Sequence, residues 1–305
     1  MRSSILAEIW PFNSTNGRST LTPISWPWVG MQVLGFVAPA IAQERALKLF
    51  LTPPPPRATP AKLPEFSALL GDTFRVKLAT AIGGIDEVTS LEVNVWGRGP
   101  AVYLLHGWGG RSSQWSSFVA PLVRAGFTVV AFDAPGHGES AATRTSIPHF
   151  AAALDAVVGS VGPARAIIGH SMGGDAASLA LWGGLATEKV VFIGSPADPP
   201  EYFAGFLRQI GLPEHLHRAI GAKFEREYGF RSHDLTVRPP RHVPDLPALV
   251  VHDRDDREVS YTNGERIARA FPNATLMSTS GLGHRRILRD ESVIDRVVAF
   301  VADRA

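Results

Sequence analysis

The chain contains no cysteine. Disulfide frameworks, thiolate-held zinc and a cysteine nucleophile are therefore excluded, and the redox state of the compartment leaves no trace in the sequence. Charge is scarce as well: Asp, Glu, Lys and Arg make up 19% of the 305 residues and leave a net charge of +2. The basic residues are scattered, apart from short groups such as Arg285-Arg286, and no basic and aromatic stripe appears. That balance argues against a nucleic-acid partner. Metal-ligand spacing is missing among His106, His137, His170 and His252, so no metal or other cofactor is implied. No internal repeat recurs at a fixed period.

Long apolar runs are also rare. One stretch, Ile24 to Ala42, approaches the length of a membrane span, but Pro27 and Pro39 interrupt it and Gln32 sits inside. The first sixty residues support two readings. In one, the stretch is a secretory signal or membrane anchor, and Ala40-Ile41-Ala42 resembles a small-residue cleavage site. The protein would then be exported or anchored through residues 24–42, the only segment that suggests membrane contact. In the other, an amphipathic helix begins after Pro39 and packs on the domain of a cytoplasmic protein. Ile41, Ala42, Ala46, Leu47 and Phe50 recur at helical spacing, with Gln43, Glu44, Arg45 and Lys48 between them. The helical period and the two prolines favour this second reading. Pro53 to Pro56 reads as a stiff extended linker. Residues 1–62 are thus an N-terminal extension, and the main domain, residues 63–305, begins near Leu63.

Hydrophobic residues are plentiful, at 45% of the chain, and so are turn formers, with 29 Gly and 24 Pro. The main domain is long enough for one large fold with its own core. Strands are expected at Leu91–Trp96, Ala101–Leu105, Thr128–Phe132, Ala164–Ile168, Val190–Ile193, Leu249–His252 and Ala274–Ser278. Helices are expected at Ser113–Ala125, Ser146–Val161 with Ser146 as its cap, Met172–Leu181, Asn263–Phe271 and Ser292–Val301. Alternation of this kind implies a parallel sheet with helices on both faces, which binds ligands beyond the carboxyl ends of its strands. Between Ser195 and Leu246 the alternation lapses. The stretch carries Tyr202, Phe203, Phe206, Leu207 and Phe224, with Glu201–Ile210 helical, and reads as a small cap inserted at about 196–246.

Gly169-His170-Ser171-Met172-Gly173-Gly174 joins an apolar strand to a helix. This is the Gly-x-Ser-x-Gly pattern of a nucleophile elbow, in which a serine sits on a tight, strained turn and glycines admit close backbone approach. A dinucleotide-binding turn would need Gly-x-Gly-x-x-Gly after the first strand, and the spacing here differs. His106-Gly107-Trp108-Gly109-Gly110 follows an earlier strand. Acyl transfer needs two donors for the developing oxyanion. The backbone N–H groups of Met172 and Trp108 are the candidates.

With Asp133-Ala134-Pro135-Gly136-His137-Gly138-Glu139-Ser140 and Gly283-His284, these motifs resemble those of the α/β-hydrolase superfamily, in its serine-nucleophile, esterase-like or lipase-like branch, over roughly residues 90–305. The resemblance implies an α/β-hydrolase fold, a mostly parallel twisted sheet with helices on both faces and a small helical cap. It also implies a chain order of serine, acid, histidine. His284 is the one late histidine that meets the order, as general base and then general acid toward Ser171. The acid lies in Val251-His252-Asp253-Arg254-Asp255-Asp256-Arg257-Glu258-Val259. The register of the resemblance favours Asp256, with Val259 as its buried follower. Asp253 stands where a glycine is usual, so Asp253 and Asp255 remain alternatives, and the aspartates not chosen are expected in a solvated loop, paired with Arg254 and Arg257. Asp133 reads as a turn-stabilising residue.

The activity implied is hydrolysis of a carboxylic ester of a small to medium, moderately apolar molecule through an acyl-enzyme on Ser171. Carbon–carbon, thioester or lactone cleavage and acyl transfer use the same residues, and a non-catalytic binding protein on this scaffold is the alternative of another class.

Overall fold

The computed structural model describes residues 26–54, 71–79 and 88–303. Leu63, the expected domain start, and Pro55 and Pro56 of the proline tract lie outside the described residues.

The apolar runs that read as buried strands form the middle of an eight-stranded sheet. Its strands are β1 (Asp72–Ala79), β2 (Val88–Trp96), β3 (Ala101–Leu105), β4 (Thr128–Phe132), β5 (Ala164–His170), β6 (Thr187–Ile193), β7 (Ala248–Asp253) and β8 (Ala274–Thr279), in the spatial order β1-β2-β4-β3-β5-β6-β7-β8. Pairings from β4 through β8 are parallel, while β1–β2 and β2–β4 are antiparallel. Along β3, Ala101, Tyr103 and Leu105 enter the core on one face, and Val102 and Leu104 enter the core on the other. Every position of β3 and β7 is buried, which is why Ala101–Leu105 and the first four residues of β7 read as unbroken apolar runs rather than alternating ones.

Helices α1 (Trp26–Val37), α2 (Pro39–Leu51), α4 (Ile147–Val161), α5 (Met172–Trp182), α6 (Pro199–Gln209), α7 (Glu214–Tyr228) and α8 (Tyr261–Ala270) contribute to the core on the first face. Helix α3 (Ser116–Arg124), the short α9 (Gly283–Arg286) and α10 (Glu291–Ala302) lie toward the second, where Phe118, Val119, Leu122, Val293, Val297 and Val301 pack. The expected helix at Ser113–Ala125 is divided into a 3-10 turn, Ser112–Trp115, and α3. Ser146 occupies the cap position of α4, yet its hydroxyl pairs with His149 Nδ1 at 2.7 Å instead of capping the backbone. Between β6 and β7 the chain forms α6, α7 and a 3-10 turn, Ser232–Leu235.

The apolar N-terminal stretch is broken where Ala38 leaves helical geometry (φ −149°, ψ 68°) and Pro39 starts a new helix. Among the described residues no helix is long and apolar enough to cross a membrane. Helix α2 buries Ala42, Ala46, Leu47 and Leu51 in the main core. The two leucines alone account for about 3–6 kcal/mol of burial. The buried face is one step round from the expected one: Ile41 is exposed and Phe50 is half-buried. The N–H of Thr145 donates to Leu51 O at 2.8 Å, and Pro53 and Pro54 lie against Gly136 and Gly109. That part of the proline tract packs on the domain and is not a free linker. Helix α1 meets the cap, with the Phe36 ring 5.3 Å from that of His215, and leaves Val33, Phe36 and Val37 exposed.

Candidate active site

Ser171 stands between the end of β5 and the start of α5 with φ 53° and ψ −129°, a backbone conformation that a non-glycine residue holds only under strain. The surrounding glycines make the turn sterically feasible. A Cβ on Gly173 would overlap the Leu105 carbonyl and come within 2.7 Å of His106 O, and one on Gly107 would stand 2.8 Å from Ser171 Cβ. The tight packing of α5 on β3 therefore delivers the serine to the carboxyl edge of the sheet. Met172 is the first residue of α5, where the N–H has no intrahelical acceptor and points out of the helix end.

His284 is the second residue of α9, just after β8, and is 8% exposed. Its Nδ1 lies 2.7 Å from Asp256 Oδ2. Asp256 is held in turn: its Oδ1 accepts the N–H groups of Glu258 and Val259 at 2.8 and 2.9 Å. Val259 is fully buried, in the follower position the register assigned it. Of the three neighbouring aspartates, then, Asp256 alone among the described contacts meets the histidine ring.

Asp253 is buried rather than in a solvated loop, which corrects the expectation for it; Asp255 is exposed, as expected, but its carboxylate pairs with a backbone N–H and not with an arginine. Asp253 is fully buried; its Oδ2 accepts Thr279 Oγ1 at 2.7 Å and Leu282 N–H at 3.1 Å, and its Oδ1 accepts Asp255 N–H at 2.9 Å. Asp255 Oδ2 accepts Gly281 N–H at 2.8 Å. Both carboxylates thus clamp the turn that carries His284. Burial pushes the Asp253 pKa upward, but these hydrogen bonds outweigh it and hold the group below the ordinary carboxylate value. Arg254 stacks over Tyr261 at 4.6 Å rather than pairing with the aspartates.

Four histidines that the motifs carried without a role turn out to build the site. His170 Nε2 donates to His284 O at 2.8 Å, and the two rings lie 4.7 Å apart. The elbow residue beside Ser171 thereby fixes the backbone of the distant His284. His106 Nε2 accepts Ala134 N–H at 3.0 Å, and His137 Nε2 accepts Gly109 N–H at 2.9 Å. His252 Nε2 comes within 3.6 Å of Asp256 Oδ2 but spends its proton on Val259 O at 2.9 Å. Burial is the main cause that lowers the pKa of all four, that of His137 to about 3, so each is a neutral ring with one donor and one acceptor. Nothing in the sequence distinguishes such a ring from a catalytic one except its position before, rather than after, the acid.

Asp133 serves the turn as expected, accepting Ser112 N–H at 2.6 Å and Glu139 N–H at 2.9 Å. In the loop after β3, Gly109 N–H is engaged by His137 and Gly110 N–H by Gly107 O at 3.0 Å. Those two amides are occupied and unfit as oxyanion donors. Trp108 and Met172 both line a cleft that is partly open to solvent. Its walls are mostly apolar, among them Phe50 from α2, Phe203 from α6 and Phe224 from α7. Phe50 packs edge-on against Phe203 at 4.6 Å, so the N-terminal extension supplies part of the binding wall. No group of histidines and acids among the described residues could hold a metal ion.

Residues 102–300 match the alpha/beta hydrolase family. The chain is 28% identical over 240 residues to a non-heme haloperoxidase of Rhodococcus erythropolis, spanning 62% of this chain and 87% of that protein. It is 29% identical over 235 residues to a 2-hydroxy-6-oxononadienedioate/2-hydroxy-6-oxononatrienedioate hydrolase of Dechloromonas aromatica, spanning 60% of this chain and 80% of that one. An esterase from Exiguobacterium antarcticum shares the fold with a TM-score of 0.55 at 18% identity, over 75% of this chain and all of that one. The matched region holds the strained serine, the buried Asp256–His284 pair and the loop that carries Trp108: this chain belongs to the alpha/beta hydrolase family.

Proposed function

We propose that the protein is a serine hydrolase of carboxylic esters that works through an acyl-enzyme on Ser171. In this reading His284 Nε2 takes the proton of Ser171 Oγ as the oxygen attacks the ester carbonyl. Asp256 keeps Nδ1 protonated and stabilises the imidazolium that forms. The N–H groups of Met172 and Trp108 receive the oxyanion. The alcohol then departs with the proton held on His284, water attacks the acyl-enzyme by the reverse relay, and the carboxylic acid is released. The observation that carries the reading is the 2.7 Å contact of His284 Nδ1 with Asp256 Oδ2, beside a serine whose backbone is strained at φ 53°. The wall of the cleft suits small to medium, moderately apolar groups.

The relative from Dechloromonas aromatica favours a second reading, hydrolysis of a dioate by the same residues. Against it, among the described residues the cleft is lined by no lysine or arginine that would hold a carboxylate. Purified protein is expected to release nitrophenol from acetate and butyrate esters, with Ser171→Ala lowering kcat/KM about 10⁴-fold or more. A fluorophosphonate should label wild-type protein at Ser171. Ester hydrolysis equal in wild type and variant would refute the reading, and absence of labelling would favour a binding protein on this scaffold.

A further inference from the structure

One polar side chain in the cleft has no part in the chemistry above. Asp175 lies in the first turn of α5, four residues beyond Ser171, and lines the cleft wall with Met172 and Phe203. It is 1% exposed, and its Oδ1 has no hydrogen-bond partner. A buried carboxyl oxygen left unpaired costs free energy that a ligand can recover. Among the described residues no lysine or arginine lines the cleft to neutralise it. Burial, with the nearby Asp198 carboxylate adding to it, pushes the Asp175 pKa well above the ordinary value and so favours the neutral form of the carboxyl. Asp198 itself is engaged with Arg266 at 3.2 Å. The Tyr202 hydroxyl, on the same cleft, accepts from Asn263 Nδ2 at 3.1 Å.

A neutral carboxyl offers one O–H donor and one carbonyl acceptor. It stands about one helical turn, ~5 Å, along α5 from the nucleophile. We propose that Asp175 is the polar recognition point of the cleft, hydrogen-bonding an uncharged hydroxyl or keto group of the substrate a few carbons from the scissile carbonyl. The substrate class is then a hydroxy- or oxo-substituted ester of otherwise apolar character. Esters whose chain ends in a carboxylate are rejected, because burying that charge beside Asp175 and Asp198 leaves it without a counter-ion. The inference rests on the reading of Ser171 as an ester-hydrolysing nucleophile and deepens it.

The test compares nitrophenyl esters of matched acyl chains, four to eight carbons long, that end in methyl, hydroxyl, ketone, carboxylate or ammonium. Wild-type protein is assayed with Asp175→Asn and Asp175→Leu. In wild type the hydroxyl or keto ester at the best length should exceed the methyl ester in kcat/KM by about tenfold, the worth of one hydrogen bond that would otherwise go unmade. Asp175→Asn, which still donates and accepts but cannot ionise, should keep the preference. In Asp175→Leu the ratio should fall to one or below, mainly through KM, whatever each rate does alone. A purely structural role would lower all esters in proportion and leave the ratio intact, which overturns the proposal. So does a wild-type preference for the ammonium or carboxylate ester. If the leucine variant does not fold, wild type and Asp175→Asn decide the question: the proposal fails unless both prefer the hydroxyl or keto ester. Failure of wild type to hydrolyse any ester in the panel is a failure of the ester reading itself, and is distinguished from a panel that is hydrolysed without preference, which sinks the role of Asp175 alone.

Discussion

Substituting Asp253 and Asp256 separately by asparagine should split activity from stability. Asp256 Oδ1 accepts two backbone N–H groups and Oδ2 meets His284 Nδ1. In Asp256→Asn the amide oxygen can keep both backbone bonds, which turns the NH2 toward the ring. Nδ1 must then be the acceptor and Nε2 carries the proton, so the ring cannot take the proton of Ser171. A wrong tautomer of this kind costs about 10⁴ in kcat, or about 5.4 kcal/mol of transition-state stabilisation. Stability should change by less than about 1 kcal/mol, since the backbone acceptor survives. In Asp253→Asn the oxygen can serve Thr279 and Leu282, but the NH2 is driven against Asp255 N–H, donor facing donor in a fully buried site. That conflict should cost about 1–3 kcal/mol, a fall in melting temperature of roughly 3–10 °C. The tautomer of His284 is untouched, so kcat should fall by no more than about tenfold, through loosening of the turn that carries it. Nitrophenyl acetate hydrolysis at pH 7.5 and thermal denaturation of the same samples measure both quantities. A folded Asp253→Asn protein as inactive as Asp256→Asn would refute the assignment of the acid.

Packing and protonation set three more expectations. Gly173→Ala drives a methyl group into the carbonyls of Leu105 and His106, and should destabilise by about 3 kcal/mol or abolish folding; a melting temperature within about 2 °C of wild type would contradict the close approach. His137 is held neutral, its pKa lowered from 6.5 to about 3, so the unfolded chain binds its proton first. Its contribution to stability is complete above pH 6.5 and is lost as pH falls toward 3, on the order of 5 kcal/mol, and urea titrations should show a shallower loss in His137→Gln than in wild type. Phe50→Ala opens the cleft wall on the α2 side, and should raise KM for octanoate esters roughly tenfold while acetate esters change little; equal effects on both would remove Phe50 from the binding wall.

Much of the architecture was legible because buried parallel strands and the elbow are local patterns. Ala101–Leu105 and Thr128–Phe132 coincide with β3 and β4 residue for residue, since both faces of each strand are covered and no polar residue interrupts it. β1 carries little signal in the sequence because it is an antiparallel edge: in Asp72–Ala79 Val76 and Leu78 are buried while Thr73, Phe74, Arg75 and Lys77 face solvent, a weak pattern. Ser171 and His284 could be proposed from chain order and motif, and Asp256 from the register of the family resemblance.

What order and spacing do not encode is which buried polar atom faces which. Asp253, Asp255 and Asp256 are three carboxylates within four positions, and only the fold of the loop against β8 and α9 turns two into clamps and brings the third to His284. Asp175 reads as an ordinary acid in the first turn of a helix, and only the tertiary packing around α5 removes its solvent and leaves it lining a cleft. The physical reason is common to both cases: periodicity reports which faces are apolar, whereas desolvation and hydrogen-bond partners are set by residues far away in the chain. The sequence by itself therefore determined the sheet and the elbow that carries Ser171, and the tertiary structure decided the partners that surround it.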